Sequence, residues 1–285
     1  METFRYSVPR SVEEALHLIK EEGQTAKLLA GGTDLLVQMK EGLFRPSLVV
    51  DIGSLHQLRG IRKEEGFIWI GPLTTHHDLA HSALIQRHGL ALAQGASKVG
   101  SPQIRQRGTL GGNIANASPA ADTLPPLVVL EAEVQVSSLT GSRWVPVESV
   151  MEGPSQTVLR PEELITAVRF PVQEKGFRSQ YEKFGSRRAL SIAVASVAAG
   201  AYQEKGCVKK ITIALGSVSP SIMRASQAEE LLTGKALEES LIVRASTSAG
   251  QACCPLDDVR GSIWYRRQLV AALLARILQS WMNDE

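Results

Sequence analysis

Two pairs of adjacent glycines stand among small polar residues, and together they could bind a phosphate group. The first pair is Gly31-Gly32 in the segment Ala30-Gly-Gly-Thr-Asp-Leu35, and the second is Gly111-Gly112 in the segment 109–122. Glycine has no β-carbon, so a ligand can approach its backbone amide closely. Thr and Asn residues beside each pair could hydrogen-bond to phosphate or ribose oxygens. The two bends together predict one site that holds a diphosphate.

Taken alone, either glycine pair is also compatible with a tight turn that binds nothing. Neither forms the G-x-G-x-x-G pattern of a Rossmann fold, and no Gly-Lys-Ser/Thr follows as in a P-loop. Asp122, just after the second pair, could accept hydrogen bonds from ribose hydroxyls or an adenine amine. The alternative is that Asp122 caps a helix that begins near Thr123.

The remaining reactive residue types give no further site. The three cysteines, Cys207, Cys253 and Cys254, are odd in number and lack C-x-x-C spacing, so we expect no disulfide framework, zinc site or iron–sulfur cluster in this chain. The six histidines lack metal-ligand spacing, and His76, His77 and His81 are expected to face solvent. No catalytic residue and no metal ligand is predicted.

Composition limits the class of protein. The chain has 285 residues, 44% of them hydrophobic, which suits two or three modest domains. It has 31 basic and 29 acidic residues, a balance that argues against nucleic-acid binding. No stretch reaches the roughly 18 apolar residues of a membrane span, and the first residues lack the apolar centre of a signal peptide. We expect a cytoplasmic protein.

The first 55 or so residues are predicted to form a small α/β unit that presents the first glycine pair. A capping box at Ser11–Glu14 begins a helix, which Gly23 ends. A strand over 27–30 then leads into the glycine pair, and a helix over 33–41 follows it. A further strand is predicted over 47–52. A strand, a glycine bend and a helix N-terminus in this order favour an anion.

The rest of the chain divides near residue 172. Before it, the pattern predicts strands over 67–71, 143–147 and 164–170, helices over 75–81 and 84–99, and a helix leading into a strand over 127–136. After it come three antiparallel strands (178–184, 192–202, 207–217) and three helices (225–233, 238–252, 262–281). We therefore predict an α+β protein with a domain over 1–172, made of subdomains 1–55 and 56–172, and a C-terminal α+β domain over 173–285.

Three segments resemble the FAD-binding medium subunit of the molybdenum hydroxylases, the family that includes xanthine dehydrogenase and carbon monoxide dehydrogenase. They are Ala30–Leu35, Thr109-Leu-Gly-Gly-Asn-Ile-Ala-Asn-Ala-Ser-Pro-Ala-Ala-Asp122 and Tyr181-Glu-Lys-Phe-Gly-Ser-Arg-Arg188. The resemblance extends over nearly the whole chain. It implies an FAD-binding domain of the PCMH type, like that of vanillyl-alcohol oxidase, with two subdomains. A C-terminal domain with a three-stranded antiparallel sheet and helices would follow.

The resemblance also implies which residues contact FAD. One side of the diphosphate would be held by Lys27, Leu28, Leu29, Ala30, Gly31, Gly32, Thr33, Asp34 and Leu35. The other side would be held by Thr109, Leu110, Gly111, Gly112 and Asn113. Ser118 and Asp122 would serve the ribose and adenine half, while Val99 and Ile165 would make apolar contacts, Ile165 near the isoalloxazine ring. Lys183 would lie at the pyrimidine edge of that ring, where a cation stabilises the negative charge of reduced flavin. The alternative is that Lys183 faces water.

By the same resemblance, the chain is one part of a larger enzyme. A molybdopterin-binding large subunit and a 2Fe-2S small subunit would be its partners, and NAD or another acceptor would take the electrons. The match over 113–122 favours xanthine dehydrogenase. Carbon monoxide, aldehyde or nicotinate dehydrogenase stays open, because substrate contacts would lie on the molybdenum subunit. A non-redox scaffold that has lost its flavin is the remaining alternative, which the intact glycine pairs disfavour.

Overall fold

The computed structural model describes residues 3–187 and 192–283, and its N-terminal unit is a three-stranded parallel sheet. The sheet has the order β1-β3-β2, and α1 packs against it. The helix begins where predicted, since the Ser11 hydroxyl accepts a hydrogen bond from the Glu14 amide at 3.0 Å. β1 is only three residues long and escaped sequence prediction. The elements are β1 (Arg5–Ser7), α1 (Val12–Glu22), β2 (Ala26–Leu29), α2 (Leu35–Lys40) and β3 (Leu48–Asp51).

The second unit is a five-stranded antiparallel sheet, of order β4-β5-β10-β6-β7, whose buried face is covered by short helices. Its strands are β4 (Ile61–Glu64), β5 (Phe67–Ile70), β6 (Glu133–Ser138), β7 (Gly141–Pro146) and β10 (Leu164–Pro171), beside a separate pair, β8 (Met151–Gly153) and β9 (Gln156–Thr157). Its helices are α3 (His76–His81), α4 (Ala83–His88), α5 (Leu90–Ser97), α6 (Pro102–Arg107), α7 (Leu110–Asn116) and α8 (Leu124–Val129).

The prediction of one helix in this unit is wrong. The segment 84–99 was expected to be a single helix, but the chain breaks it at Gly89 into α4 and α5. Gly89 leaves the helical conformation, and a β-carbon there would lie 2.9 Å from the Leu130 side chain. Leu130 is distant from Gly89 in the sequence. Local helix propensity therefore could not indicate that the two residues would pack closely.

The C-terminal unit is a four-stranded antiparallel sheet of order β11-β12-β13-β14 followed by three helices. The three predicted long strands are present. The structure adds a fourth strand, β14, to the three-stranded sheet that was predicted. β14 was missed because it has only two residues and shows no alternating pattern. The elements are β11 (Phe177–Gly185), β12 (Ala193–Glu204), β13 (Cys207–Gly216), β14 (Met223–Arg224), α9 (Ser226–Leu232), α10 (Glu239–Ala252) and α11 (Ile263–Asn283).

The C-terminal sheet is buried on both faces. One face packs against α9 and α11, and α10 packs against these two helices. The other meets the helices α5 and α8 of the second unit, so Tyr181, Ala198 and Ala214 belong to the same apolar core as the five-stranded sheet. Gly200 allows the close approach, since a β-carbon there would lie 3.1 Å from the Val129 carbonyl oxygen. The division at residue 172 remains a prediction, and a shared core spans it.

Candidate functional site

The first glycine bend joins β2 to α2 and carries a run of unpaired backbone amides. Within 3–187 and 192–283, the amides of residues 31–35 donate no hydrogen bond. Gly32 has φ +77°, a left-handed conformation that glycine adopts without strain. Successive free amides around such a residue form a concave site for an anion. The amides are free for an anion, and the binding of a diphosphate at this bend stays a prediction.

The absence of a side chain at Gly31 has a second role besides the predicted one. A β-carbon at Gly31 would lie 2.0 Å from the carbonyl oxygen of Arg107. Gly31 therefore lets the first bend pack against the chain that leads into the second. The two bends thus pack together, and the backbone amide of Gly31 also stays accessible to a ligand.

The second bend does not offer bare amides, and this part of the prediction is wrong. The amides of Leu110 and Gly111 donate to the carbonyl oxygens of Thr74 and Pro72, at 3.0 and 2.8 Å. The amides of Gly112 and Asn113 donate to the Thr109 hydroxyl and carbonyl, at 3.2 and 3.0 Å. Thr109 caps α7, so these glycines lie in the first turn of a helix. The side chains of the second bend can therefore bind a ligand, whereas its backbone amides from 110 to 113 already donate hydrogen bonds within the protein.

A cleft of about 340 Å³ lies between the two bends. Seven predicted residues line it: Thr33, Asp34, Val99, Thr109, Asn113, Ser118 and Asp122. A second cleft, of about 350 Å³, is lined by Ala30, Gly31 and Thr109 together with Arg59 and Arg107. Because Thr109 borders both clefts, the two are neighbours. The donor set of amides, hydroxyls and guanidinium groups fits an extended dinucleotide with a central diphosphate.

The other predicted residues do not line either cleft. Lys27, Leu28 and Leu29 lie on β2, and the Lys27 ammonium sits 4.6 Å from the centre of the Phe44 ring. Gly32, Leu35, Leu110, Gly111 and Gly112 lie in the two bends or at the starts of their helices. Ile165 is buried on β10, beside an irregularity in its pairing with β6. Arg188, the last residue of the third resembling segment, lies outside the described residues.

Asp122 and Lys183 form a buried ion pair. The Asp122 carboxylate accepts hydrogen bonds from the Lys183 ammonium and the Tyr181 hydroxyl, each at 2.7 Å. Burial raises the pKa of Asp122, and the charge of Lys183 opposes that effect. Burial, followed by the charge of Asp122, raises the pKa of Tyr181 well above its ordinary value. The Lys183 ammonium also donates to the Lys98 carbonyl at 3.1 Å.

This pair corrects three interpretations from the sequence. Asp122 does not cap a helix, since Thr123 occupies the N-cap position of α8. Lys183 does not face water, because its side chain is 9% exposed. The resemblance assigned the two residues to opposite halves of FAD, yet their side chains touch. They can therefore serve only one end of a ligand.

His76 was not predicted as a site residue, yet it lines the first cleft, of about 340 Å³. The residue was expected to face solvent, but it is 2% exposed. Burial, with a smaller contribution from the charge of Arg105, lowers its pKa to about 4. A histidine on a short polar helix gives no local sign of burial, because the covering residues come from α6 and the second bend.

The fold and the site define a class of flavoprotein subunits. The family described as "FAD binding domain in molybdopterin dehydrogenase" matches residues 2–173, and "CO dehydrogenase flavoprotein C-terminal domain" matches residues 180–281. The chain belongs to the FAD-binding medium subunits of the molybdenum hydroxylases. FAD is the cofactor of this family's domain.

Individual relatives cover almost the whole chain. The carbon monoxide dehydrogenase medium chain of Hydrogenophaga pseudoflava is 34% identical over 97% of this chain and 96% of its own length. The xanthine dehydrogenase FAD-binding subunit of Escherichia coli O157:H7 is 32% identical over 96% of this chain and 94% of its own length. A solved structure of the Hydrogenophaga pseudoflava carbon monoxide dehydrogenase superimposes with a TM-score of 0.93, at 35% identity and 96% coverage of both chains.

Proposed function

We propose that this chain holds FAD across the two neighbouring clefts and transfers electrons within a multi-subunit molybdenum hydroxylase. The observation that carries the proposal is the run of free amides at 31–35 beside these clefts, in a chain that belongs to this family. A diphosphate would accept hydrogen bonds from that run. The side chains of Thr33, Thr109, Asn113 and Ser118 would bind the groups on either side of it.

The ion pair of Asp122 and Lys183 is proposed to serve the flavin end of the cofactor. Both side chains are buried, and Asp122 borders the first cleft, which Thr33 and Asn113 also line. A lysine held there places a positive charge where a reduced flavin ring is negative. Asp122 fixes the position of that charge, and Tyr181 fixes Asp122. Val99 and Ile165 are proposed to make apolar contacts.

FAD supplies the exchange between one-electron and two-electron carriers when it is bound. The residues of this chain would bind FAD and orient its ring. No side chain here is assigned as a general acid or base. A large subunit with molybdopterin and a small subunit with 2Fe-2S clusters are the proposed partners. Among the described residues, no cluster of three or more His, Cys, Asp or Glu side chains could hold a metal.

The first experiment is a titration of the purified chain with FAD. We expect a yellow complex that absorbs near ~450 nm. Mixing the complex with NADH should bleach this band if NAD is the electron acceptor. A chain that takes up no FAD would contradict the whole proposal, whereas FAD uptake without bleaching would contradict only NAD.

The substrate is proposed to be a purine, as in xanthine dehydrogenase, from the resemblance of the segment 113–122. Carbon monoxide is the second candidate, because the carbon monoxide dehydrogenase medium chain is 34% identical to this chain, against 32% for the xanthine dehydrogenase subunit. The assembled complex should be assayed with hypoxanthine and with carbon monoxide. Oxidation of carbon monoxide but not of hypoxanthine would overturn the purine assignment and leave the FAD-subunit proposal intact.

A further inference from the structure

The second cleft, of about 350 Å³, opens at one edge of the N-terminal parallel sheet. Gly31 follows the end of β2, and Asp51 is the last residue of β3, the central strand. Both line the cleft, together with Gly53 and Ser54 from the chain beyond β3. In open α/β sheets, ligands bind in the crevice outside the carboxyl ends of the parallel strands. The cleft therefore lies where such a sheet binds a nucleotide.

Two kinds of charged side chain line this cleft. Arg59 and Arg107 contribute guanidinium groups, which only donate hydrogen bonds, and Asp51 contributes a carboxylate, which only accepts them when ionised. Phosphate oxygens need donors, whereas ribose hydroxyls and the adenine amine can donate to a carboxylate. Because the carboxylate would repel an inorganic anion, this combination fits a nucleoside phosphate better.

The carboxylate of Asp51 is held in place by its neighbours. One of its oxygens accepts a hydrogen bond from the Gly53 amide at 2.8 Å, and the other accepts one from the Tyr6 hydroxyl. Each carboxylate oxygen can accept a further hydrogen bond. The orientation of the carboxylate is therefore fixed, while it can still accept hydrogen bonds from a ligand.

The two arginines differ in the contacts that they already make. The Arg59 guanidinium donates to the Gly53 carbonyl at 2.8 Å. Arg107 is exposed, and its side chain has no hydrogen-bond or ion-pair partner within residues 3–187 and 192–283. A guanidinium group matches the geometry of a phosphate group. Arg107 is therefore the cation of this cleft that is free to bind a phosphate.

The first bend runs between the two clefts. Its residues 33–34 line the first cleft, and its residues 30–31 line the second. In the proposed function, the free amides of this bend hold the diphosphate, and the flavin end lies near Asp122, which borders only the first cleft. A dinucleotide placed in this way extends its adenylate half into the second cleft.

We propose that Asp51 and Arg107 bind the adenylate half of FAD in the second cleft and thereby make the chain selective for FAD over FMN, the flavin that lacks this half. Asp51 accepts a hydrogen bond from a ribose hydroxyl or the adenine amine, and Arg107 donates to the phosphate beside the adenosine. This inference rests on the proposed function, since it requires the flavin of the same molecule in the first cleft.

The first measurement compares the two flavins on the full-length wild-type apoprotein. Titration with each flavin gives the dissociation constants of FAD and FMN. We expect FAD to bind at least about a hundredfold more tightly, because FMN lacks the partners of two charged side chains, each contributing roughly tenfold. This comparison needs no variant, so it does not depend on how a substitution affects folding.

The second measurement repeats both titrations on Arg107→Met, Asp51→Asn and Arg87→Met. Arg87 is the matched control for Arg107, because it is also exposed and lines neither cleft. We expect Arg107→Met and Asp51→Asn each to raise the dissociation constant of FAD about tenfold and to leave that of FMN within about twofold. Arg87→Met should leave both constants unchanged. A substitution that only loosened the fold would weaken both flavins alike.

Three outcomes would overturn the inference. They are FMN binding to the wild type within threefold of FAD, a wild-type ratio of the two dissociation constants in Arg107→Met or Asp51→Asn, and equal weakening of both flavins by either variant. A cleft that served the adenylate half of NAD instead would give the second outcome. Each of these leaves a flavin complex and the proposed function standing. A wild type that binds neither flavin contradicts the proposed function itself, so the two failures are distinguishable.

Discussion

At the scale of single residues, the site depends on buried polar groups that are held by specific partners. Asp122, Lys183 and Tyr181 are buried side chains whose polar atoms hydrogen-bond to one another. His76 is the opposite case, since one of its nitrogens is unpaired within the part of the chain that the structure describes. In a buried site, removal of one partner leaves the other with the full cost of its lost hydration. The unfolding free energies of variants at these residues therefore test whether the side chains are buried and paired as described.

Lys183→Met should destabilise the apoprotein strongly, because it leaves the Asp122 carboxylate buried without its cation. We expect the free energy of unfolding to fall by about 3 kcal/mol, as for other broken buried pairs. Lys210→Met is the control, because its ion pair with Glu131 is solvent-exposed and should contribute less than about 1 kcal/mol. Urea denaturation measures both. Equal losses in the two variants would contradict the buried pair.

The pH dependence of stability should carry a contribution from His76. The folded pKa is about 4, against an ordinary value of 6.5, so the unfolded chain binds the proton more tightly. The contribution of the neutral His76 to the free energy of unfolding is complete above pH 6.5, and it is lost as the pH falls toward 4. Between pH 7 and pH 5 the apoprotein should lose about 2 kcal/mol of unfolding free energy from this group. Denaturation of the wild type and H76N at both values tests this, and parallel losses in the two proteins would refute it.

At the scale of elements, two bends of similar composition have different roles. The first leaves the end of a parallel strand and keeps its amides unpaired among the described residues. The second begins a helix, and its amides bond to Thr109 and to the chain over 72–74. Contact between the bends requires Gly31, whose missing side chain admits the Arg107 carbonyl. The site is therefore asymmetric, with main-chain donors on one side and side-chain donors on the other.

Gly32→Ala and Gly42→Ala form a matched pair that tests the first bend. Their φ angles are +77° and +78°, so an alanine should cost each about 1 kcal/mol of strain. At Gly32 the new β-carbon would also lie 3.0 Å from the Leu36 side chain and disturb the free amides, whereas nothing lies within 4 Å of it at Gly42. We expect FAD affinity to fall at least about tenfold for Gly32→Ala alone. Equal FAD affinity in both variants would show that this bend does not hold the diphosphate.

At the scale of the whole molecule, one apolar core spans the predicted boundary at residue 172. Tyr181 and Ala198 from the C-terminal sheet pack among the helices of the second unit, and Tyr181 also reaches Asp122 across the predicted boundary. The C-terminal domain thus completes both the core and the proposed cofactor site. Within the described ranges, no helix is long and apolar enough to cross a membrane.

Separation of the chain at residue 172 should therefore leave an incomplete first fragment. We expect fragment 1–172 to lack cooperative thermal unfolding and to bind an apolar dye, because the surface that β11–β13 cover would face water. Circular dichroism and dye fluorescence measure these properties, with the full chain as control. Cooperative unfolding of 1–172 by itself would show that the boundary separates independent domains.

Sequence alone determined the features that depend on neighbouring residues. Ser11 and Glu14 begin α1, Gly23 ends it, and the glycine pairs with their polar neighbours indicate the family and its cofactor. These follow from capping and backbone freedom, which act over a few positions.

Only the tertiary structure decided which polar atoms have partners and which are buried. Asp122 and Lys183 are 61 residues apart, so no local pattern could show that they pair. The amides of the second bend are used partly because Pro72 and Thr74 lie against them, and His76 is buried because distant segments cover it. Pairing and burial depend on segments brought together by folding, and a stretch of sequence does not record its distant neighbours.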